Sequence, residues 1–130
     1  MARQTLTPLF LVLAAFAVSE PVVAAGIEGT WSGRGYVKPA DGKRETVRCK
    51  ITYRRQTKKV FSVLAVCATP SAKIHQTGEV LMVRKNRFVG DFYSSEYDIS
   101  GRVRVTLRGS RQTVTFSSAR GRGSVTLSKR

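Results

Sequence analysis

Few side chains in this 130-residue chain are of types that do covalent, redox or acid–base chemistry: two cysteines, Cys49 and Cys67, one histidine, His75, and eight carboxylates. Two thiols and one imidazole fall short of a closed four-ligand zinc site, so no metal is expected. His75 sits in Lys73-Ile74-His75-Gln76, a mixed surface pattern with no partner in view. Among the carboxylates, Asp41 precedes Gly42 in a turn, and Glu96 and Asp98 flank Tyr97. Paired acid–base catalysis needs two groups whose surroundings push their pKa values apart, and no spacing here sets up such a pair. Phosphate-binding loops, nucleotide fingerprints and nucleophile elbows are absent from the sequence. The expectation is a protein without catalytic residues or cofactor, and not an enzyme.

What the sequence has in excess is base. Lysine and arginine number 23 against eight acids, a formal net charge of +15. Arg48, Lys50 and Arg54 alternate along one stretch, and Arg102, Arg104 and Arg108 along another. Arg54, Arg55, Lys58 and Lys59 crowd one turn, and Arg111, Arg120, Arg122, Lys129 and Arg130 load the last third. Two readings stay open. Such charge keeps strand edges from pairing with one another and keeps the chain dispersed. It also attracts polyanions: lipopolysaccharide phosphates, anionic lipid headgroups or acidic glycans. Nucleic acid fits less well, because single-strand readers interleave bases with exposed aromatic rings. Here Tyr53, Phe61, Phe88, Phe92 and Phe116 fall on the inward side of the pattern, leaving Tyr36 and Tyr93 as the candidates for exposure.

The elements that position these groups begin after a leader. Met1–Thr7 carry Arg3, an apolar run covers Leu9–Val18, and Val22-Val23-Ala24-Ala25 ends the segment with small residues. This is the pattern of a cleaved signal peptide over residues 1–25, too short in its apolar part for the ~20 residues of a membrane span. Export to the periplasm or beyond follows, with a single domain over residues 26–130. Losing Arg3 and Glu20 with the leader leaves 22 bases, seven acids and the same net charge. In an oxidising compartment an even cysteine count favours one bridge.

Within 26–130 the hydrophobic pattern has period two and β-branched and aromatic residues dominate, which predicts strands. Eight are expected: 27–38, 45–54, 60–68, 73–76 leading into 79–84, 87–93, 99–108, 112–119 and 123–129. Turn residues separate them, as in Pro39-Ala40-Asp41-Gly42, Lys85-Asn86 and Gly109-Ser110-Arg111. Short regular hairpins predict an antiparallel up-and-down meander closed into a barrel, which removes exposed edges. In the second strand Val47, Cys49, Ile51 and Tyr53 share one face and the bases share the other. If the hairpin turns around Lys58, Tyr53 meets Val63, Ile51 meets Ala65 and Cys49 meets Cys67, close enough for a disulfide. The same register turns Leu64 and Val66 outward beside Thr52 and Lys50, an aliphatic patch framed by base that suits an amphiphile or a protein partner. The large inward aromatics predict a filled interior. Outward arginines are the wrong surface for an integral outer-membrane barrel, which needs a lipid-facing apolar band.

Gly29-Thr30-Trp31 at the start of the first strand resembles the Gly-x-Trp opening of calycin barrels: lipocalins, avidins and bacterial inhibitors of serralysin-type metalloproteases. The resemblance implies an eight-stranded barrel with Trp31 as a plug at one end, beneath a basic side chain from a late strand, for which Arg120 and Arg122 are candidates. It also implies two functions beside polyanion binding: inhibition of an extracellular protease, and carriage of a small apolar ligand. The inhibitors reach their target with an extended N-terminal arm, whereas here Gly26, Ile27 and Glu28 alone lie between the leader and Gly29. The preferred expectation is a non-enzymatic envelope or binding protein with an anionic partner, bound through Arg48, Lys50, Arg54, Arg102, Arg104 and Arg108.

Overall fold

A computed structural model of the chain describes residues 4–5 and 26–130; the expected leader lies outside these apart from Gln4 and Thr5. Residues 29–129 form eight strands: β1 (Gly29–Pro39), β2 (Glu45–Arg55), β3 (Val60–Ala68), β4 (Lys73–Arg84), β5 (Arg87–Ser94), β6 (Ile99–Arg108), β7 (Arg111–Ser118) and β8 (Gly121–Lys129). Each pairs antiparallel with the next, and β8 pairs with β1, so the sheet closes on itself as an up-and-down barrel and its edges are paired. The expected fourth strand, with its interruption at Thr77 and Gly78, is one unbroken β4 that follows the curvature of the barrel.

Alternation supplies the physical reason for the two faces. Val47, Cys49, Ile51 and Tyr53 are buried, while Arg48, Lys50 and Arg54 between them are exposed. In β6, Val105 and Leu107 are buried and Arg102, Arg104 and Arg108 face water. The β2–β3 register has Tyr53 opposite Val63, Ile51 opposite Ala65 and Cys49 opposite Cys67, as the alternation requires. The two cysteines are bonded, with their Cα atoms 4.1 Å apart. Tight tips join the strands at one end. Asn86 takes φ 62° between β4 and β5, and Gly109 takes φ 58° between β6 and β7, the left-handed conformation such short turns demand.

The interior is packed with side chains. Trp31, Phe61, Val80, Phe88, Val105, Val114, Val125 and Leu127 form one continuous core with the disulfide. Phe61 and Phe88 meet edge to face with centroids 5.6 Å apart, and Phe92 and Phe116 do so at 6.1 Å. No helix among the described residues is long and apolar enough to cross a membrane.

Candidate functional site

The two ends of the barrel differ, and the difference starts from local sequence. At the end where β1 begins, residues 26–28 fold across the barrel floor. Ile27 is fully buried, and its carbonyl oxygen accepts a hydrogen bond of 2.9 Å from Trp31 Nε1. Trp31 is fully buried with it. Lys129 from β8 lies over the indole, its Nζ 5.6 Å from the ring centroid, and donates to the Gly26 carbonyl oxygen at 3.2 Å. The base that covers the tryptophan is therefore Lys129. Arg120 and Arg122 lie at the opposite end: Arg122 is opposite Lys38, and the Arg120 carbonyl accepts from the Ala40 amide. Strand direction decides this, because β8 runs towards the floor and its last residues are the ones that reach Trp31.

Just inside the same end, Tyr53 donates a 2.7 Å hydrogen bond to Gln112 Oε1, both side chains being buried. Burial raises the Tyr53 phenol well above its ordinary value, since the phenolate has no water to solvate it. Gln112 Nε2 finds no hydrogen-bond partner among the described residues. These groups lie under the floor and serve its packing.

Outside the floor the bases gather. In an up-and-down barrel alternate hairpin tips share an end, so the β2–β3, β4–β5 and β6–β7 tips and the chain terminus meet here. The first tip brings Arg54, Arg55, Lys58 and Lys59; the second brings Arg84, Lys85 and Arg87. The third adds Arg108 and Arg111, and the terminus adds Lys129 and Arg130. All eleven are exposed, half of the 22 bases between residues 26 and 130. Among the described residues one acid, Glu28, stands with them, 2.6 Å from Arg55 Nε. The other end holds six bases (Lys38, Lys43, Arg44, Lys73, Arg120 and Arg122) against four acids (Asp41, Glu45, Glu96 and Asp98). The charge of the molecule is thus concentrated at its closed end.

Backbone bonds fix the tips relative to one another. The Lys59 carbonyl accepts from the Met82 amide at 2.7 Å, the Asn86 carbonyl from the Leu107 amide at 2.9 Å, and the Ser110 carbonyl from the Lys129 amide at 3.0 Å. A ring of like charge held on a rigid frame keeps its potential, because the side chains cannot carry the backbone apart to relieve repulsion.

The rows singled out from alternation do not make one surface. Arg48, Lys50 and Arg54 lie on β2, and Arg102, Arg104 and Arg108 on β6, four strands away on the opposite wall. Of these six, Arg54 and Arg108 reach the basic end. Arg102 faces Asp91 at 3.9 Å, and Arg48 is opposite Arg34 of β1. Alternation does not single out Arg84, Lys85 and Arg87, although the parity of hairpins in a meander is enough to place their tip beside the first.

At the other end the barrel is open. An apolar recess of about 610 Å³ lies among the loops, lined by Val37, Val47, Ile74, Phe92 and Phe116 with Arg122 at its rim. The edge-to-face pair Phe92–Phe116 lies between it and an inner cavity of about 40 Å³, room for a few waters. The interior is therefore filled in the sense expected from its aromatic content, and the recess lies above Phe92 and Phe116. His75 is exposed beside this end, with Nδ1 2.9 Å from Glu96 Oε1. No cluster of three or more potential metal ligands occurs among the described residues.

No protein-family model matches the chain, and no curated protein matches it in sequence. Solved structures do match in shape. A redesigned β-barrel, mFAP1, bound to DFHBI superposes with a TM-score of 0.66 at 14% identity, over 81% of this chain and 95% of that one. A fluorescence-activating β-barrel of de novo design gives 0.64 at 14% identity over 83% and 97%. Rv2717c from M. tuberculosis gives 0.52 at 11% identity over 82% and 94%. The likeness is one of fold. The chain shares with these proteins a β-barrel fold, and at such identities nothing of their sites transfers.

Proposed function

We propose that this chain is an exported, non-enzymatic binding protein whose closed, basic end takes an anionic partner outside the cytoplasm. One observation carries the reading: among the described residues, eleven exposed bases share that end with a single acidic side chain, Glu28, which pairs with Arg55. Charge that served dispersal alone gains nothing from being gathered on one face, where mutual repulsion is largest. The rows on β2 and β6 feed this end through Arg54 and Arg108 and give the walls a weaker background.

The test separates place from total charge. Lys58→Glu with Lys85→Glu and Lys43→Glu with Arg122→Glu change the net charge equally, the first pair at the closed end and the second at the open one. Binding of inorganic polyphosphate or a sulfated polysaccharide, measured across a salt series, should weaken far more in the first variant and show a shallower salt dependence. Equal losses in the two variants would show that only the total charge matters.

A second reading rests on the recess at the open end, which is apolar and of a size that holds a small ligand. Such a ligand would sit above Phe92 and Phe116, since the 40 Å³ below them admits only water. Native mass spectrometry of gently extracted protein tests it, and a clean apo mass counts against it. Protease inhibition draws no comparable support: Gly26 and Ile27, just ahead of β1, take part in sealing the floor.

A further inference from the structure

We propose that the anionic partner is a lipid bilayer surface, met by the closed end together with the adjoining outer wall of β3, β4 and β5. This rests on the anionic-partner reading above and adds to it the class of partner. The observation behind it is an outward aliphatic row next to the basic tips, at a level where β2 and β6 turn arginines outward. Val60, Leu81 and Val89 stand directly opposite one another on the outer wall, and Val83 follows Leu81 towards the tip. Leu81 and Val83 are 45% and 51% exposed, with no loop among the described residues to cover them.

Bases bracket this row on the side of the tips. Lys58 and Lys59 immediately precede Val60, and Arg84, Lys85 and Arg87 lie between Val83 and Val89. A soluble polyanion has no use for four aliphatic side chains beside its binding bases. A bilayer rich in anionic lipid uses both: aliphatic groups enter the headgroup–acyl boundary to a depth of roughly 5–10 Å, and bases at the same level meet phosphates. Long lysine and arginine stems suit this, since they lie along apolar surface with their charge in the polar layer.

The acids mark the limit of engagement. Glu79 and Asp91 face each other across β4 and β5, two register positions further from the tip than Leu81 and Val89. That spacing of two residues is roughly 7 Å along the strand. Contact as far as the aliphatic row leaves both carboxylates in water, and deeper contact would press them against phosphate. Nucleic acid is a poorer match for this face, because the exposed tyrosines Tyr93 and Tyr97 lie towards the open end, away from the basic tips.

The experiment is co-sedimentation of the chain from residue 26 with vesicles of phosphatidylcholine alone and with about 30 mol% phosphatidylglycerol, beside polyphosphate binding, at moderate salt. Binding is expected to the mixed vesicles and to polyphosphate, and not to phosphatidylcholine alone. Leu81→Thr with Val83→Thr keeps strand-compatible, outward side chains. It should weaken vesicle binding roughly tenfold or more and leave polyphosphate binding unchanged. Leu64→Thr, on the same wall but beyond the acids, should change neither. Should the double variant fail to fold, the unaltered chain still decides: residual vesicle binding in high salt, where polyphosphate is released, shows the aliphatic contribution. Polyphosphate binding without any preference for the mixed vesicles overturns the bilayer and leaves the anionic-partner reading standing. Loss of neither ligand in the double variant also overturns it, and binding of neither ligand by the unaltered chain overturns both readings.

Discussion

Reducing the Cys49–Cys67 bridge should lower the melting temperature by roughly 10–15 °C. The two residues are 18 apart in sequence, and a cross-link closing a loop of that size removes about 3 kcal/mol of entropy from the unfolded chain in the loop-closure treatment. Unfolding entropies of about 2.1 cal/mol/K per residue, over the 105 residues from 26 to 130, convert that loss into the stated shift. Reduction is a cleaner perturbation than substitution, because both sulfur atoms stay in place and no cavity opens in the core. The bridge is buried, Cys49 and Cys67 being 4% and 7% exposed, so it should resist reductant under native conditions and yield to it in denaturant, followed by refolding under reductant. Calorimetry of the oxidised and reduced forms, with thiols counted by alkylation and intact mass, gives the answer. A shift below about 3 °C with two alkylated cysteines would refute the reasoning, and would mean that the β2–β3 hairpin stays closed in the unfolded chain without its bridge.

Two further outcomes follow from the packing. The Tyr53 phenol is raised by burial, so the stabilisation it carries is full below its ordinary value of ~10 and is lost as pH rises beyond it, with a slope of up to about 1.4 kcal/mol per pH unit. Tyr53→Phe should cost about 1–2 kcal/mol at neutral pH by leaving Gln112 Oε1 buried without a donor, and denaturant titration should show its deficit narrowing above pH 10. Gly90→Ala places a Cβ 1.8 Å from the Glu79 carbonyl oxygen on β4. The strands must part there, so a loss of about 3 kcal/mol or more is expected, and a melt within a few degrees of the unaltered chain would refute it.

Much of the fold is legible in the sequence because one physical rule governs it. Period-two alternation in β2 and β3 decides which side chains turn inward, and with the turn near Lys58 it sets the pairing of Cys49 with Cys67 to the residue. Strand ends are less legible: β8 starts at Gly121, two residues before the expected position, since glycine there pairs across Pro39 without any side-chain signal. The candidate site is legible in kind and not in place. Alternation shows that Arg48 and Arg102 face water, but which wall each occupies depends on strand order around a closed barrel. The aliphatic row shows the same limit. Leu64 and Val66 can be placed outward from the β2–β3 register. Leu81 and Val83 cannot, because in Glu79–Arg84 the row Glu79, Leu81, Val83 and the row Val80, Met82 are both largely apolar. Periodicity there does not tell inside from outside, and packing of Val80 and Met82 into the core with Phe88 decides it.

An even number of antiparallel strands sends the chain out where it came in. Gly26 and Arg130 both emerge from the floor of the barrel, between the tips that carry Lys58, Lys85 and Arg111. A purification tag or fused reporter joined directly ahead of Gly26 or after Arg130 therefore sits in front of the face whose binding is to be measured, and an acidic one neutralises it. A label that leaves that face free belongs in the loops at the far rim, around Asp41–Arg44 or Thr69–Ala72, where an added segment projects away from whatever the floor has met.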